Sequence, residues 1–538
     1  MTPEVADRRL PAAAADAGAS LAVHAPELVD AFMRHLPVAA DIVGRRLRGA
    51  LVREGLAAAG RHDRVHAFRR VEYASAGADD PADLIPAGLP GNTAGFAAEL
   101  RNAVVNLAIA LSRVTDDEPA GPDERAVAGE RLAVAGHNLH PCGRTRLGWD
   151  TTDVLAHDLE AGHTRIGFLA VRAGAYLGDD LGVTLRAAYP ELPEPPRGYR
   201  LLPVHAWQRD AIVAGRHQRL TDSGAVRILD VELPAIPTAA LRTLLLPAAA
   251  DGSRRYLKLS LDIQVTSTRR GISVASTRNG PCVSALLHRL VADDPDPGRL
   301  ILLAETEGGA VPAAGRDMSA ILRDGLTGRL EPGEQAVAGG ALPVLAAGLV
   351  TAYAASTGCR NDASAAAGFL AAYARLLLPP LLRLTVRGVA LEAHLQNCLP
   401  TFVGGVPHRL AVRDFAGLRL HPGRLGAAGH EVALWPGSVV GTDDVDVLRA
   451  KLGYTAFQAH LGELVLRLGA SHGLAEDAAW RLVRSVVDET YEELGGAGRA
   501  DHAAFTAARV PHKALVRMRL SGTGDEYLLV QNPLHAAA

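Results

Sequence analysis

The run YLKLSLDIQVTS, residues 256–267, alternates apolar and polar side chains in the way that antiparallel strands do. Similar short runs stand on both sides of it, namely RLLPVHAW from residue 200, AVRILDVEL from residue 225 and RLILLAETE from residue 299. Glycine, proline and aspartate separate these runs. The pattern predicts an antiparallel sheet that begins near residue 199.

Helical patterns flank this predicted sheet. Upstream, apolar residues recur at helical spacing over residues 22–114, as in IVGRRLRGALVREGLAAAG. Downstream, helices are expected to return after Ser319, and a strand hairpin is expected around HRLAVRDFAGLRL, residues 408–420. Two closing helices are predicted at 445–468 and 474–494. A chain of 538 residues is long enough for two or three substructures of this kind.

Net charge and cysteine spacing exclude several classes of protein. The formal net charge of -3 gives no global field to attract a polyanion, so nucleic acid is not expected as a partner. The four cysteines are far apart and lack the spacing of a disulfide framework or a zinc site. The N-terminus carries Glu4 and Asp7 and lacks the basic-then-apolar order of a secretory signal. These features predict a protein of the cytoplasm.

Two apolar stretches approach the length of a membrane span, at residues 338–356 and 365–382. Both are rich in alanine, and residues such as Pro343 and Arg375 interrupt them, so we expect buried helices and no membrane association. The sequence contains neither a G-x-x-x-x-G-K-[ST] motif nor a G-x-G-x-x-G between a strand and a helix. A bound nucleotide would therefore need another kind of site.

A first cluster of polar residues follows the helical N-terminal region. Two histidines and two arginines, His137, His140, Arg144 and Arg146, lie within ten positions in a loop that contains glycine and proline. Arginine donates paired hydrogen bonds to phosphate or carboxylate, and histidine adds a proton that can be exchanged. The alternative is a surface turn with solvated arginines.

A second cluster lies in the predicted sheet. It contains Arg242, Thr243, Lys258, Thr266 and Arg270. A lysine in an alternating strand can point into a cleft and bind a phosphate as a point charge, while hydroxyl and guanidinium groups hold an acid. The alternative is an edge-strand lysine that only prevents aggregation.

A third cluster lies later in the chain and consists of Glu392, His394, Gln396, Asn397 and Asp414. If residues 392–396 are extended, Glu392, His394 and Gln396 share one face by two-residue alternation. The carboxylates of Glu392 and Asp414 are the kind of ligand that Mg²⁺ prefers. The alternative is a helix cap or a buried salt bridge.

In order and spacing, these clusters resemble the IucA/IucC family of siderophore synthetases that work independently of nonribosomal peptide synthetases. The matching motifs are GHNLHPCGRTRLGW at 136–149, PVHAWQ at 203–208, ALRT at 240–243, KLSL to Arg270 at 258–270, EAHLQN at 392–397 and RDF at 413–415. The resemblance extends from about residue 130 to the end of the chain, including Asn532 and Pro533.

The resemblance implies an α+β fold shaped like a cupped hand. The expected parts are a helical thumb over residues 1–185, fingers with an antiparallel sheet over 186–370, and a palm with a β-hairpin and helices over 371–538. The palm also resembles the ferric-reductase-like domain often found at this end of the family. An iron–sulfur reductase would need cysteine ligands, and residues 399–538 contain no cysteine.

The resemblance also implies a ligase that uses ATP and Mg²⁺. Such an enzyme adenylates a carboxylate of citrate or a citrate derivative and condenses it with an amine or a hydroxyl group. A homodimer is compatible with the family. The roles carried over from the motifs are catalysis by His140, Lys258 and Arg242; ATP binding by His140, Arg144, Arg242, Thr243 and Lys258; binding of the substrate carboxylate by Thr266, Arg270, His394, Gln396 and Asn397; and metal binding by Glu392 and Asp414.

Four positions depart from the family's motifs. Asn138 and Ala206 replace prolines, Arg144 replaces a lysine, and Ala240 replaces a serine whose hydroxyl would help to hold the nucleotide. Loss of that hydroxyl removes a hydrogen bond of roughly 1 kcal/mol. These departures leave open a second hypothesis, a non-catalytic homologue that binds a carboxylate or nucleotide and pairs with an active synthetase.

Overall fold

The computed structural model describes residues 9–60, 64–113, 119–266, 268–522 and 524–537. Glu4 and Asp7, used above to predict the location of the protein, lie outside these ranges, and so does Ser267 of the matched motif at 258–270. Helices and sheets alternate along the chain, with an eight-stranded sheet in the middle. The predicted α+β class is confirmed.

Three helices dominate the N-terminal region, at Leu10–His24, Val29–Arg53 and Thr93–Leu111. The last begins where the Asn92 side chain accepts a hydrogen bond from the Gly95 amide, which satisfies an otherwise unpaired donor of the first turn. The apolar faces of these helices share one core with residues of the sheet region such as Ile263. The helical N-terminal region is therefore docked directly onto the strands that carry the second cluster.

The eight-stranded sheet is formed entirely by antiparallel pairs. The strand Arg255–Leu259 directs Leu257 and Leu259 into the apolar core and Lys258 to the other face, where it pairs with Asp414, which explains the alternation seen in the sequence. In spatial order the strands are Leu177–Gly178, Glu305–Ala310, Ser319–Asp324, Arg255–Leu259, Thr243–Leu245, Val226–Pro237, Thr164–Arg172 and Tyr199–His205.

The register of the central strands places the polar residues of the site on one face of the sheet. Lys258 lies opposite Thr243 on one side and Ile321 on the other, and Arg323 lies opposite Tyr256. Because side chains two residues apart on a strand share a face, Thr243, Lys258 and Arg323 point to the same side. This face borders the candidate site.

The prediction that helices return directly after Ser319 was wrong. Residues Ser319–Asp324 form a central strand, and helices return only at Leu342. The first five residues of this strand are all buried, since it is covered on both faces. A strand of this kind lacks apolar–polar alternation, so its sequence cannot be distinguished from a short buried helix.

A hairpin was expected around residues 408–420, and the observed hairpin lies earlier in the chain. Val406–Val412 pairs with the preceding strand Cys398–Val403, and the turn between them is formed by Gly404 and Gly405, both with positive φ. Glycine adopts this conformation without strain, as a two-residue hairpin turn requires. These strands belong to a second sheet, with Glu334–Ala336 at one edge and Leu300–Leu302 parallel to Val406–Val412 at the other.

Long helices complete the C-terminal half. The central one, Ala363–Val386, packs against Glu476–Leu494 in the largest apolar core of the described residues. The first predicted closing helix is present as Val445–Leu452, a π-helical segment and Gly462–His472. A final antiparallel hairpin pairs Arg509–Lys513 with Tyr527–Gln531. The remaining longer helices are Pro122–Arg131, Leu181–Ala188, Val274–Ala292 and Leu342–Thr357.

Three helices are long and apolar enough to cross a membrane by length and composition: Thr93–Leu111, Gly339–Thr357 and Ala363–Val386. The share of buried residues is 72% and 67% in the first and third, but 33% in the second. The expectation of a buried helix therefore holds for residues 365–382. It holds for only one face of the helix at 338–356, and the absence of a membrane partner stays a prediction.

The division into thumb, fingers and palm also stays a prediction. The eight-stranded sheet includes Thr164–Arg172 and Leu177–Gly178, which precede the expected boundary at residue 185. A sheet held by continuous hydrogen bonding cannot be split between two substructures at that point. We therefore propose that the boundary between thumb and fingers lies before Thr164.

The buried His205, at the end of the strand Tyr199–His205, leads to a prediction about stability. Burial lowers the pKa of its imidazole from 6.5 to about 3. In the unfolded chain this imidazole binds a proton below pH 6.5, whereas in the folded chain it stays neutral until the pH approaches 3. The stability that depends on the neutral imidazole is therefore fully present above pH 6.5 and is lost as the pH falls towards 3. At pH 5 this histidine should lower the free energy of unfolding by about 2 kcal/mol.

Denaturant unfolding at pH 7 and pH 5 measures this effect, with His205→Asn as the comparison. The asparagine oxygen can still accept the hydrogen bond that the Trp207 amide donates to His205 Nδ1. The variant should lose about 2 kcal/mol less than the wild type between the two pH values. An equal loss in both proteins would contradict the assignment.

Candidate functional site

The candidate site is a cavity of about 960 Å³ between the loop of the first cluster, the two short strands Leu261–Val265 and Thr268–Arg270, and the C-terminal hairpin. Among the described residues that line it, nine are arginine or lysine and four are glutamate or aspartate. Such an excess of cations favours a ligand with several negative charges. The lining combines residues of all three predicted clusters, which are far apart in sequence.

A smaller side chamber adjoins the cavity, and both are lined by Arg270, Gln396 and Arg413. Its other lining residues are Thr238, Ala240, Arg242, Thr243, Arg323, Asn397 and Asp414. The chamber therefore joins the second and third clusters at the point where the sheet meets residues 396–414.

Three guanidinium groups of the chamber form no ion pair with a carboxylate of the described residues. Arg242 donates only to the backbone carbonyls of Arg270 and Gly271, and Arg270 donates to the Val265 carbonyl and the Thr266 hydroxyl. Arg323 is 2% exposed, lies over the ring of Tyr256, and its Nε has no hydrogen-bond partner.

Buried charges and donors without partners are costly, so their presence points to an anionic ligand. Thr243 Oγ1 and Arg270 Nε are likewise buried and unpartnered in the part of the chain that the structure describes. Burial lowers the pKa of Arg270 to about 10, and the neighbouring charge of Arg242 contributes to this lowering. The donors of the chamber therefore fit the oxygens of a phosphate or carboxylate.

Lys258 forms an ion pair with Asp414, the acidic residue that lines the chamber. Its ammonium group is 2.6 Å from Asp414 Oδ1 and 3.1 Å from Glu305 Oε1, and the side chain is 1% exposed. Burial favours the neutral form of Asp414, but the charges of Lys258 and Arg242 outweigh this and hold its pKa well below the usual range. Asp414 is therefore a carboxylate, as a metal ligand must be.

Backbone conformation singles out the same region. Five non-glycine residues of the described chain have positive φ, and three of them belong to the site: Leu241 next to Arg242, Thr266, and Asp414. Such conformations are strained and persist where surrounding structure enforces them, often at functional sites.

The acidic residue of the third cluster, Glu392, lines the main cavity and accepts a hydrogen bond of 2.9 Å from Lys451. Its burial favours the neutral form, but the charge of Lys451, the largest opposing effect, holds the pKa below the usual value. The His394 Nε2 atom lies 4.0 Å from Glu392 Oε2. A β-carbon at Gly417 would lie 1.9 Å from that oxygen, so only glycine allows this placement of Glu392.

The loop of the first cluster forms another wall of the cavity. Burial lowers the pKa of His140 to about 3, so this imidazole is neutral and binds by hydrogen bonding. Arg144 pairs with Glu160 at 2.6 Å and Arg146 pairs with Asp158 at 2.9 Å. The positive charges of both arginines are therefore largely compensated by these carboxylates. Asn138, which replaces a proline of the motif, donates to the Ala459 carbonyl and to Glu463.

The three clusters thus meet as predicted, with two differences, one at Lys258 and one at residues 395–397. Of the predicted site residues, His140, Arg144, Thr266, Glu392 and His394 line the cavity, Arg242, Thr243, Asn397 and Asp414 line the chamber, and Arg270 and Gln396 line both. Lys258 lines neither. Residues 395–397 form a 3₁₀ turn and do not continue an extended segment. The backbone carbonyl of Gln396 accepts hydrogen bonds from the side chain of Arg413. The individual roles of these residues stay predictions.

Sequence reasoning missed Arg46, Arg323, Lys451 and Lys513, which line the cavity or the chamber. A signal for the two lysines was present. The chain has 56 basic residues, of which only Lys258, Lys451 and Lys513 are lysines, and each of the three is ion-paired with a carboxylate of the site. In a chain that otherwise uses arginine, these positions call for a compact ammonium group.

Comparison with known proteins matches two family models to this chain. Residues 125–344 match the model of the IucA/IucC family, and residues 368–528 match that of the ferric iron reductase FhuF-like transporter. An uncharacterized protein, y4xN of Sinorhizobium fredii, is 29% identical over 64% of this chain and 58% of its own length. D-ornithine–citrate ligase of Staphylococcus aureus is 22% identical over 82% of this chain and 76% of its own length.

Solved structures show the same fold at low identity. The petrobactin biosynthesis protein AsbB of Bacillus anthracis has a TM-score of 0.81 at 18% identity, over 95% of this chain and 98% of its own. ATP-bound aerobactin synthetase IucA of Klebsiella pneumoniae has a TM-score of 0.72 at 18% identity, over 92% of this chain and 99% of its own. The matched family model over residues 125–344 and the named ligases and synthase among the relatives show that this chain is similar to the IucA/IucC family.

Proposed function

We propose that the protein is an ATP-dependent ligase that adenylates a carboxylate of citrate or a citrate derivative and condenses it with an amine or hydroxyl nucleophile. The observation that carries this proposal is a set of three guanidinium groups that line one chamber with Asp414: Arg323, which is buried, and Arg242 and Arg270, which are partly buried. None of the three forms an ion pair with a carboxylate of the described residues. A triphosphate or a polycarboxylate supplies the charges that these groups lack.

The reaction begins when a carboxylate oxygen attacks the α-phosphorus of ATP. A new phosphorus–oxygen bond forms, and the bond between the α-phosphorus and the leaving pyrophosphate breaks. The positive groups of the chamber stabilise the charge that grows on the phosphate oxygens, which is the largest contribution such a site can make. The nucleophile then attacks the acyl carbon, and AMP leaves.

The neutral imidazoles of the cavity suit this chemistry. Burial lowers the pKa of both His140 and His394, so neither adds a charge that would compete for the phosphates. A neutral imidazole can accept the proton that an attacking amine loses. We assign His394 to this role and to binding the substrate carboxylate, together with Thr266, Asn397 and Gln396.

The donor set also fits a magnesium ion. Glu392 and Asp414 are both ionised, and each uses one carboxylate oxygen for its lysine, Lys451 or Lys258. The other oxygen of each is available to a cation that also binds substrate phosphates. Bound there, Mg²⁺ would neutralise charge on the phosphates.

Trapping with hydroxylamine tests the proposed activation step. Purified protein with ATP, magnesium and citrate should form a hydroxamate, because hydroxylamine attacks the acyl-adenylate without needing a dedicated nucleophile site. Reactions with ADP in place of ATP should give none, since the adenylate requires loss of pyrophosphate. The absence of product across a panel of dicarboxylic and tricarboxylic acids would refute the ligase and favour the non-catalytic homologue.

Several accompanying assignments rest on the sequence alone. We propose a cytoplasmic protein with small-molecule substrates, without a nucleic-acid or membrane partner, and compatible with a homodimer. Retention of Lys258, Arg270, Glu392, His394 and Asp414 at one site supports the enzyme over the binding-only alternative, because unused buried charges lower stability.

A further inference from the structure

One corner of the main cavity combines an ion pair with a buried hydroxyl group that has no partner among the described residues. It is formed by Lys513 and Tyr527 on the C-terminal hairpin, Asp525 just before the second strand of that hairpin, and Tyr454 on the π-helical segment. We call these four residues the hairpin corner. No motif of the sequence analysis includes any of them.

Asp525 of the hairpin corner is paired with two cations, since Arg419 lies 3.6 Å from its Oδ2 atom and Lys513 lies near its Oδ1 atom. Lys513 Nζ lies 2.8 Å from Asp525 Oδ1, and the two side chains are 20% and 33% exposed. An ammonium group has three donors and a carboxylate has about four acceptor positions, so this ion pair can still bind a ligand through both partners. The corner can therefore hold a positive and a negative group at the same time.

A buried hydroxyl group also faces this corner. Tyr454 is 5% exposed, lines the cavity, and its hydroxyl has no hydrogen-bond partner among the residues that the structure describes. A buried hydroxyl without a partner is unfavourable, so it is expected to bind a polar group of a ligand. This observation is independent of the ion pair.

The hairpin corner lies beside the activation chemistry. The four residues of the corner line the same cavity as His140 and Glu392. The ring of Tyr454 lies 5.4 Å from that of His512, the residue next to Lys513. A molecule bound at the corner is therefore close to the histidine and glutamate assigned above to ATP, acid and metal, where a nucleophile must approach.

From these contacts we infer that the hairpin corner binds the nucleophile and selects an amine that carries its own carboxylate, that is, an amino acid. Lys513 binds the carboxylate of this nucleophile, while Asp525 and the Tyr454 hydroxyl bind its nitrogen groups. The chamber takes the polyanion and the corner takes the zwitterion. This inference rests on the proposed ligase function.

The condensation step is balanced as follows. The amino nitrogen forms a bond to the acyl carbon, the bond between that carbon and the phosphate oxygen breaks, and AMP leaves with the electron pair. The ammonium form of the nucleophile releases two protons in becoming an amide nitrogen. The carboxylate of the amino acid does not react and serves only for binding.

Matched pairs of nucleophiles test the inference with the full-length protein. Each pair consists of an amino acid and the same amine without its carboxylate: ornithine with putrescine, lysine with cadaverine, and serine with ethanolamine. Amide or ester formation is measured with ATP and the acid that gives the most hydroxamate. The amino acid of the preferred pair should have a kcat/KM at least ten times that of its decarboxylated partner. Equal or better use of the decarboxylated amine would overturn the inference.

Two variants test whether Lys513 causes the preference for the amino acid. Lys513→Met should reduce the ratio of kcat/KM between the paired nucleophiles to about one, mainly by raising the KM for the amino acid, whereas Lys513→Arg should retain part of it. The matched control is Arg517→Met, which removes an exposed cation four residues further on that lines neither the cavity nor the chamber. An unchanged ratio in Lys513→Met, or an equal loss in Arg517→Met, would count against the corner.

Failure of this inference differs from failure of the proposed function. If no acid yields a hydroxamate, the ligase itself is refuted. If hydroxamate forms but diamines and amino alcohols react as well as amino acids, the ligase stands and the hairpin corner does not select a carboxylate. If Lys513→Met instead raises the KM for the acid in the hydroxamate assay, Lys513 binds the acid and the inference is wrong.

Discussion

Arg270→Ala is expected to lower the rate of hydroxamate formation by about 10²–10³-fold while the protein keeps its fold. The guanidinium donates only to the Val265 carbonyl and the Thr266 hydroxyl, and no described carboxylate loses a partner when it is removed. The repulsion between Arg270 and Arg242, which contributes to the lowered pKa of Arg270, is relieved as well. The melting temperature should therefore be equal to that of the wild type or higher.

The neighbouring residue supplies the control for this variant. Arg269 lies on the same short strand, is 62% exposed and pairs with Asp262 outside the cavity. Arg269→Ala should leave the rate within about two-fold, because a surface ion pair contributes little. Similar rates in the two variants, or an early melting transition in Arg270→Ala alone, would show that Arg270 has a structural role.

Much of the fold could be predicted because its strands alternate. The run at 256–267 and its neighbours signalled the sheet, since each presents one apolar face to the core. The strand Ser319–Asp324 gave no such signal because it is buried on both faces. The hairpin at Cys398–Val412 did carry a signal, the Gly404–Gly405 pair between two apolar runs, which was overlooked in favour of the polar residues that follow it.

The site could be predicted at the level of clusters but not of contacts. Residues close in sequence, such as Glu392 and His394, were placed together correctly, because their spacing nearly determines their distance. The pairing of Lys258 with Asp414 spans 156 positions and depends on how the second cluster docks against the third. Arg323 belongs to the strand that was mistaken for the start of a helical region, so its side chain could not be assigned to the sheet face.

Composition held information that motifs did not. Only three of the 56 basic residues of the chain are lysines. The structure shows that all three lysines pair with carboxylates of the site, at distances of 2.6, 2.9 and 2.8 Å. Arginine also pairs with buried carboxylates in this chain, as Arg144 does with Glu160, but its planar group differs in shape from the compact ammonium that these three positions use. A rare residue type in a biased sequence is therefore a guide to function.

Lys258→Ala is expected to lower both turnover and stability, in contrast to Arg270→Ala. Sequence analysis assigned Lys258 to direct phosphate binding, but its ammonium group is buried against Asp414 and Glu305, and removing it leaves two acids without their cation. Breaking a buried pair in this way costs about 3–5 kcal/mol, and the repelled carboxylates can no longer hold a metal ion in place. Denaturant unfolding and hydroxamate formation measure the two losses.

The double substitution Lys258→Ala/Asp414→Asn separates these two effects. Neutralising Asp414 removes most of the uncompensated charge, so stability should recover by at least half while turnover stays about 10²–10³-fold low. Arg383→Ala is the control, because it breaks a buried pair with Asp294 outside both the cavity and the chamber and should lower stability alone. A Lys258→Ala protein with wild-type stability would show that Lys258 does not hold Asp414. Recovery of turnover in the double variant would show that the Asp414 carboxylate is not a metal ligand, since asparagine cannot supply its charge.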